Sequence, residues 1–171
     1  MTRTLVIVRH AKAEREHPGG DHERELAPRG VADATVLGRW LAEEDLLPDL
    51  VLVSTAVRTR QTAEHLMAGA GVPDAEVWPG RDLYDHGVGG ALGAVREVPE
   101  DAGTVWLVGH QPTVGTLTLG LTDPETSEPT ALAALEDGFP TASAAVLRTE
   151  VSWDVLQAGL GSLVAFRTAR A

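Results

Sequence analysis

The 171-residue chain contains no cysteine. Disulfides, thiolate metal sites, dithiol redox chemistry and cysteine-nucleophile mechanisms are thereby excluded. Lysine is nearly absent too: of 14 basic side chains, Lys12 is the single lysine and the others are arginine. Aromatic residues make up only 4%, and no apolar run approaches the ~20 residues that a membrane-spanning helix needs. Positive charge is in short supply overall, with 25 acidic against 14 basic residues and a formal net charge of −11. An acidic surface repels phosphate backbones and anionic lipid, so neither nucleic acid nor membrane is expected as a partner. Signature patterns are missing as well. None of the six histidines stands in H-x-x-H or H-E-x-x-H, and there is no phosphate-cradling G-x-x-x-x-G-K-[ST] loop. An Asp-x-Asp after a strand is also absent, and Gly159-Leu-Gly161 lacks the third glycine of a dinucleotide fingerprint. No metal and no organic cofactor is expected.

What remains is ordinary globular composition, 43% hydrophobic and 23% charged. The length fits one domain over residues 1–171. The first apolar stretch ends at Arg9-His10, too short for a secretory h-region; with the lack of cysteine, this points to the cytoplasm.

Thr4–Val8 (TLVIV), Leu50–Val53 (LVLV) and Thr104–Val108 (TVWLV) are short runs rich in β-branched residues, the pattern of strands buried on both faces of a parallel sheet. Residues 12–27 are polar with Pro18-Gly19-Gly20 at their centre, which predicts a loop. Pro28 then opens a helix to about residue 45, carrying Ala34, Leu37 and Leu41 on one face and starting without a cap at Ala27. A second helix comes after Leu50–Val53, with Ser54 or Thr55 as its cap, Ala63, Leu66, Met67 and Ala70 on its apolar face, and Gly71 closing it. A weak strand at Glu76–Trp78 and a short helix at about 88–97 come next. Pro112 reads as another helix start. Residues 122–140, rich in Asp, Glu, Thr and Pro, predict a surface loop. Ser143–Leu147 and Leu163–Phe166 predict closing strands around a turn or short helix at Trp153–Leu156. Alternating strands and helices imply a three-layer α/β/α sandwich on a mainly parallel sheet.

In such sheets ligands sit beyond the carboxyl ends of the strands. The first strong strand leads into Arg9-His10, the second into Ser54 with Arg58 one turn on, and the third into Gly109-His110. Each has a bland alternative: a solvated strand end, a helix-surface charge, a structural turn histidine. Their common place after the three best strands favours function. Guanidiniums beside helix N-termini suit a phosphoryl group. One neutral imidazole can attack phosphorus, and a second can stabilise charge on its oxygens.

The set Arg9-His10, Ser54-x-x-x-Arg58-x-x-Gln61-Thr62-Ala63 and Gly109-His110-Gln111-Pro112 resembles the histidine phosphatase superfamily, with its phosphoglycerate mutase-like fold. Arg9-His10-Ala11-Lys12-Ala13 and Asp21-x-x-Arg24-x-Leu26-x-x-x-Gly30 are similar to its SixA-like phosphohistidine phosphatase branch, although Ala27 stands where that branch often has Thr. The resemblance implies a phosphatase working through phosphorylated His10, with Arg9, Arg58 and His110 completing the phosphate pocket. Arg24 and Gln111 are further candidates for binding phosphate or substrate. Two carboxylates, Asp21 and Asp85, are candidate proton donors, each with a solvated loop carboxylate as the alternative. The implied partner is a phosphorylated substrate, either a phosphohistidine protein or a small phosphomonoester as in the mutases. A non-enzymatic phosphate-binding module is the reading from another class. The sequence carries nothing on oligomeric state.

Overall fold

A computed structural model describes residues 1–171. From the N-terminus the chain forms β1 (Arg3–Arg9), α1 (Pro28–Glu43), β2 (Leu50–Ser54), α2 (Val57–Ala70), β3 (Val77–Gly80), α3 (Asp82–Asp85) and α4 (Gly87–Arg96). It continues through β4 (Thr104–Gly109), α5 (Thr113–Leu121), α6 (Pro129–Glu136), β5 (Ser143–Thr149) and β6 (Ser162–Thr168). Single 3₁₀ turns occupy Asp21–Glu23 and Trp153–Val155.

The six strands form one sheet in the order β3-β2-β4-β1-β5-β6. The first four run parallel, and β5 and β6 are antiparallel additions. The apolar runs read from the sequence lie at its centre because both their faces are covered. Val6, Val8, Val51, Val53, Trp106 and Val108 pack beneath α1 and α2. Leu5, Ile7, Leu50, Leu52, Val105 and Leu107 pack against α4, α5 and α6 on the other side. This is a three-layer α/β/α sandwich.

Two expectations need correction. Residues 122–140 are not simply a loop: α6 lies within them, with Ala131 and Leu135 buried against the sheet. Pro129 at its first turn and the Ala131–Leu135 spacing supply the helix signal, masked by the polar residues before it. Nor do Ser54 and Thr55 cap α2, which begins after Ala56 without a side-chain cap. Both hydroxyls are committed to histidines instead, Ser54 Oγ to His110 and Thr55 Oγ1 to His22.

Glycine sets how closely the helical layer approaches. A Cβ on Gly38 of α1 would lie 2.1 Å from the Leu66 carbonyl oxygen, and one on Gly69 of α2 would lie 2.2 Å from that of Thr35. The two helices therefore touch backbone to backbone. Gly30 plays the same part where α1 presses on the Lys12 carbonyl, two residues after His10. Gly38→Ala is expected to lower stability by about 1–3 kcal/mol through overpacking, despite the better helix propensity of alanine. Urea denaturation of the variant checks this.

Candidate active site

The pairing of β1 with β4 aligns Arg9 with Gly109, so the residues leaving the two strands, His10 and His110, emerge side by side. Their ring centroids are 5.4 Å apart. His10 is held by its own backbone on both sides: its N–H donates to the Gly109 carbonyl (3.0 Å) and its carbonyl accepts from Ala142 N–H (3.2 Å). The next residue is fixed from α2, where Thr62 Oγ1 accepts from Ala11 N–H (3.0 Å) and donates to the Arg58 carbonyl (2.7 Å). Gln61 Oε1 accepts from Leu26 N–H (2.7 Å), tying the end of the following loop to the same helix. The Gln61-Thr62-Ala63 run thus locks the His10 segment to α2.

His10 Nδ1 lies 2.8 Å from the Ala11 carbonyl. A carbonyl only accepts, so Nδ1 carries the proton and the lone pair of the neutral ring sits on Nε2. Burial is the main force lowering the pKa of His10, opposed by the Ala11 bond and reinforced by Arg58, Arg9 and Arg24, with the result at about 4. His110 is lowered to about 3, again by burial first and then by Arg58 and His10. Both imidazoles are uncharged at neutral pH.

The arginines are held from unexpected directions. Arg9 donates through Nη1 to the Phe139 carbonyl (2.9 Å), beyond α6. Arg58, only 5% exposed and no surface charge, donates to the Asp21 carbonyl (2.8 Å) and to Asp21 Oδ2 (3.1 Å). Arg24 donates to Asp21 Oδ1 (3.0 Å) and to the Glu14 carbonyl (2.9 Å). Asp21 sits at the tip of a loop closed at its base by an Ala13–Leu26 bridge and the bond from Glu14 N–H to the Glu25 carbonyl (2.8 Å). Three buried nitrogens at this strand edge have no protein partner: Nε of Arg9, Nε of Arg58 and Nδ1 of His110. Buried donors without acceptors are costly. Guanidinium and imidazole nitrogens are groups that suit an oxyanion.

Arg9, His10, Arg58 and His110 therefore share one site, and Arg24 and Asp21 border it. Asp21 holds no proton at neutral pH. Partial burial raises its pKa, but hydrogen bonds from Tyr84 Oη (2.9 Å), Arg24 and Arg58, with the Arg58 charge, outweigh this and hold it at about 2. Asp85 is paired with Arg81 (3.0 Å) and His86 (2.8 Å). Asp82, Asp85 and His86 form an exposed cluster on α3, outside the histidine pair. Gln111 is exposed and its Oε1 accepts from Gly115 N–H (2.7 Å), securing the first turn of α5.

Sequence reasoning missed Tyr84 and His22. Tyr84 bonds Asp21, and its ring meets His110 edge-on at 5.6 Å and His22 at 4.8 Å. Neither belongs to a strand-end motif; as the single tyrosine, Tyr84 offered only its rarity as a signal. A cleft of about 560 Å³ lined by Trp40, Arg148 and Phe166 lies elsewhere. The histidine site lies at the carboxyl ends of the parallel strands.

Residues 5–94 match the family model of the histidine phosphatase superfamily, branch 1. The chain belongs to this superfamily. An uncharacterized protein of Mycobacterium tuberculosis is 34% identical over 163 residues, 95% of this chain and all of that protein. A solved structure from Nakamurella multipartitia, provisionally named phosphohistidine phosphatase SixA, is 38% identical, with a TM-score of 0.85 over 100% of this chain and 98% of the other. A second of that provisional name, from Agrobacterium tumefaciens, is 28% identical with a TM-score of 0.76, covering 96% and 97%. This histidine phosphatase shares the phosphoglycerate mutase-like fold of these neighbours, and its chemistry is that of a histidine-dependent phosphatase.

The two depressed imidazoles make stability depend on pH. The unfolded chain binds protons at about 6.5 that the folded histidines refuse until about 4 and 3. Stability is therefore full above pH 6.5 and falls as pH drops toward 4. Urea titrations at pH 7.5, 6 and 5 are expected to track this fall, and to flatten when His10 and His110 are both replaced by Asn.

Proposed function

We propose that this chain, acting as one domain over residues 1–171, is a phosphohistidine phosphatase with His10 as nucleophile. Nε2 of neutral His10 attacks phosphorus from behind the scissile N–P bond. The P–Nε2 bond forms, the N–P bond breaks, and the departing imidazole takes its proton from solvent. Water then attacks phospho-His10, releasing phosphate and restoring the neutral ring. Arg9, Arg58 and His110 bear the phosphoryl oxygens in both steps.

The observation that carries this substrate class is the ionised state of Asp21. Asp21, the carboxylate bonded to Arg58, has no proton to give at neutral pH. An alkoxide leaving group needs such a proton; an imidazole can take one from solvent. The likeness to proteins named SixA supports the same choice.

The test compares kcat/KM for a phosphohistidine protein, an aryl phosphate and alkyl monoesters including phosphoglycerate. Alkyl esters are expected to be slower by roughly 10²–10⁴, the usual contribution of a general acid. Rapid quench with labelled substrate should place acid-labile, alkali-stable phosphate on His10, and His10→Ala should abolish label and turnover. Equal rates on alkyl esters, or phosphoryl transfer within phosphoglycerate, would replace this reading with a small-molecule phosphatase or a mutase.

Arg58 and Asp21 separate binding from positioning. Arg58→Ala should cost about 10²–10³ in kcat/KM while the protein stays folded. Asp21→Asn keeps an acceptor for Arg58, so it should lose much less and show no loss of an acid-catalysed limb in its pH profile.

A further inference from the structure

Ser54 is the last residue of β2, fully buried, and its Oγ lies 2.7 Å from His110 Nε2. Only one other polar contact reaches that oxygen, the N–H of Ala56 at 3.4 Å. An N–H can only donate, so it gives the serine proton nowhere to go. The one acceptor within reach of the Ser54 hydroxyl is Nε2 of His110.

These contacts fix the imidazole. If Nε2 of His110 carried the proton, the Ser54 hydroxyl would be buried without an acceptor, and the lone pair would sit on Nδ1, the atom with no protein partner. A lone pair there would oppose a phosphoryl oxygen. With the serine donating to Nε2, no buried proton is stranded, and Nδ1 becomes an N–H at the position where an oxyanion needs a donor. His10 shows the same device by another route, its tautomer being set by the Ala11 carbonyl. The two histidines thus receive opposite assignments: His10 presents a lone pair outward, and His110 presents a proton.

We propose that Ser54 is a positioning residue that holds neutral His110 as the Nδ1–H tautomer, so that His110 meets the phosphoryl group as a hydrogen-bond donor. The proposal rests on the phosphatase reading, in which His110 bears a phosphoryl oxygen. It also accounts for the serine of the Ser54-x-x-x-Arg58 pattern, which a helix-capping role does not explain because α2 begins without a side-chain cap.

The test reads the tautomer directly and then its consequence. Nitrogen NMR of ¹⁵N-histidine-labelled wild-type protein at pH 7.5, assigned by comparison with His110→Asn, should find His110 protonated at Nδ1 and not at Nε2. Ser54→Ala should convert this signal to a mixture of tautomers. With an aryl phosphate as the generic substrate, Ser54→Ala should lower kcat by roughly 10–100-fold, the scale on which fixing a tautomer matters. Ser54→Thr, which keeps the hydroxyl, should recover much of it. On the His110→Asn background, Ser54→Ala should have little further effect, since the serine acts through the ring. A wild-type spectrum with the proton on Nε2 overturns the proposal whether or not any variant folds. So does an undiminished effect of Ser54→Ala when His110 is already Asn. Wild-type protein that turns over no phosphorylated substrate would sink the catalytic reading and leave the spectrum to decide the tautomer.

Discussion

The site depends on keeping two imidazoles uncharged within reach of two guanidiniums. An imidazolium beside Arg58 and Arg9 would be repelled, and burial removes the water that would otherwise stabilise it. The same burial that lowers the pKa of His10 to about 4 leaves it a neutral base at neutral pH, able to share a site with arginines. Positive charge in the site is carried by guanidiniums, and the imidazoles beside them are neutral at neutral pH.

This arrangement needs rigid support. Backbone hydrogen bonds from β4 and from Ala142 hold His10, while Thr62 and Gln61 of α2 hold the chain just after it. The close approach of α1 and α2, possible only because Gly38 and Gly69 lack side chains, sets the place of the helix that carries Arg58. Core packing beneath the sheet is thus linked to the position of a guanidinium at its edge.

The loop between β1 and α1 brings the balancing charge. Asp21 is shared among Arg58, Arg24 and Tyr84. It holds Arg58 through two hydrogen bonds, offsets part of the positive charge, and carries no proton at neutral pH. On a chain with net charge −11, this local excess of arginine focuses attraction for an anion on one strand edge.

Much of this was legible in the sequence. The three β-branched runs read as buried strands, because short apolar stretches of that composition fit a parallel sheet covered on both faces. Residues that leave a parallel strand lie at its carboxyl end, so Arg9-His10, Arg58 and His110 were placed together by topology before any distance was known. Local pattern also gave α1, α2, α4 and the closing strands. It failed at α6, where the polar residues before Pro129 hid a helix whose buried face is only Ala131 and Leu135. Contacts between segments distant in the chain could not be read at all. Tyr84 meets Asp21 across 63 residues, Arg9 meets Phe139 across 130, and Ser54 meets His110 across 56. Sequence pattern sets which residues leave which strand, because periodicity and chain direction are local properties. Which carboxylate is ionised, which nitrogen holds a proton and which arginine is free to bind depend on neighbours brought together only by folding.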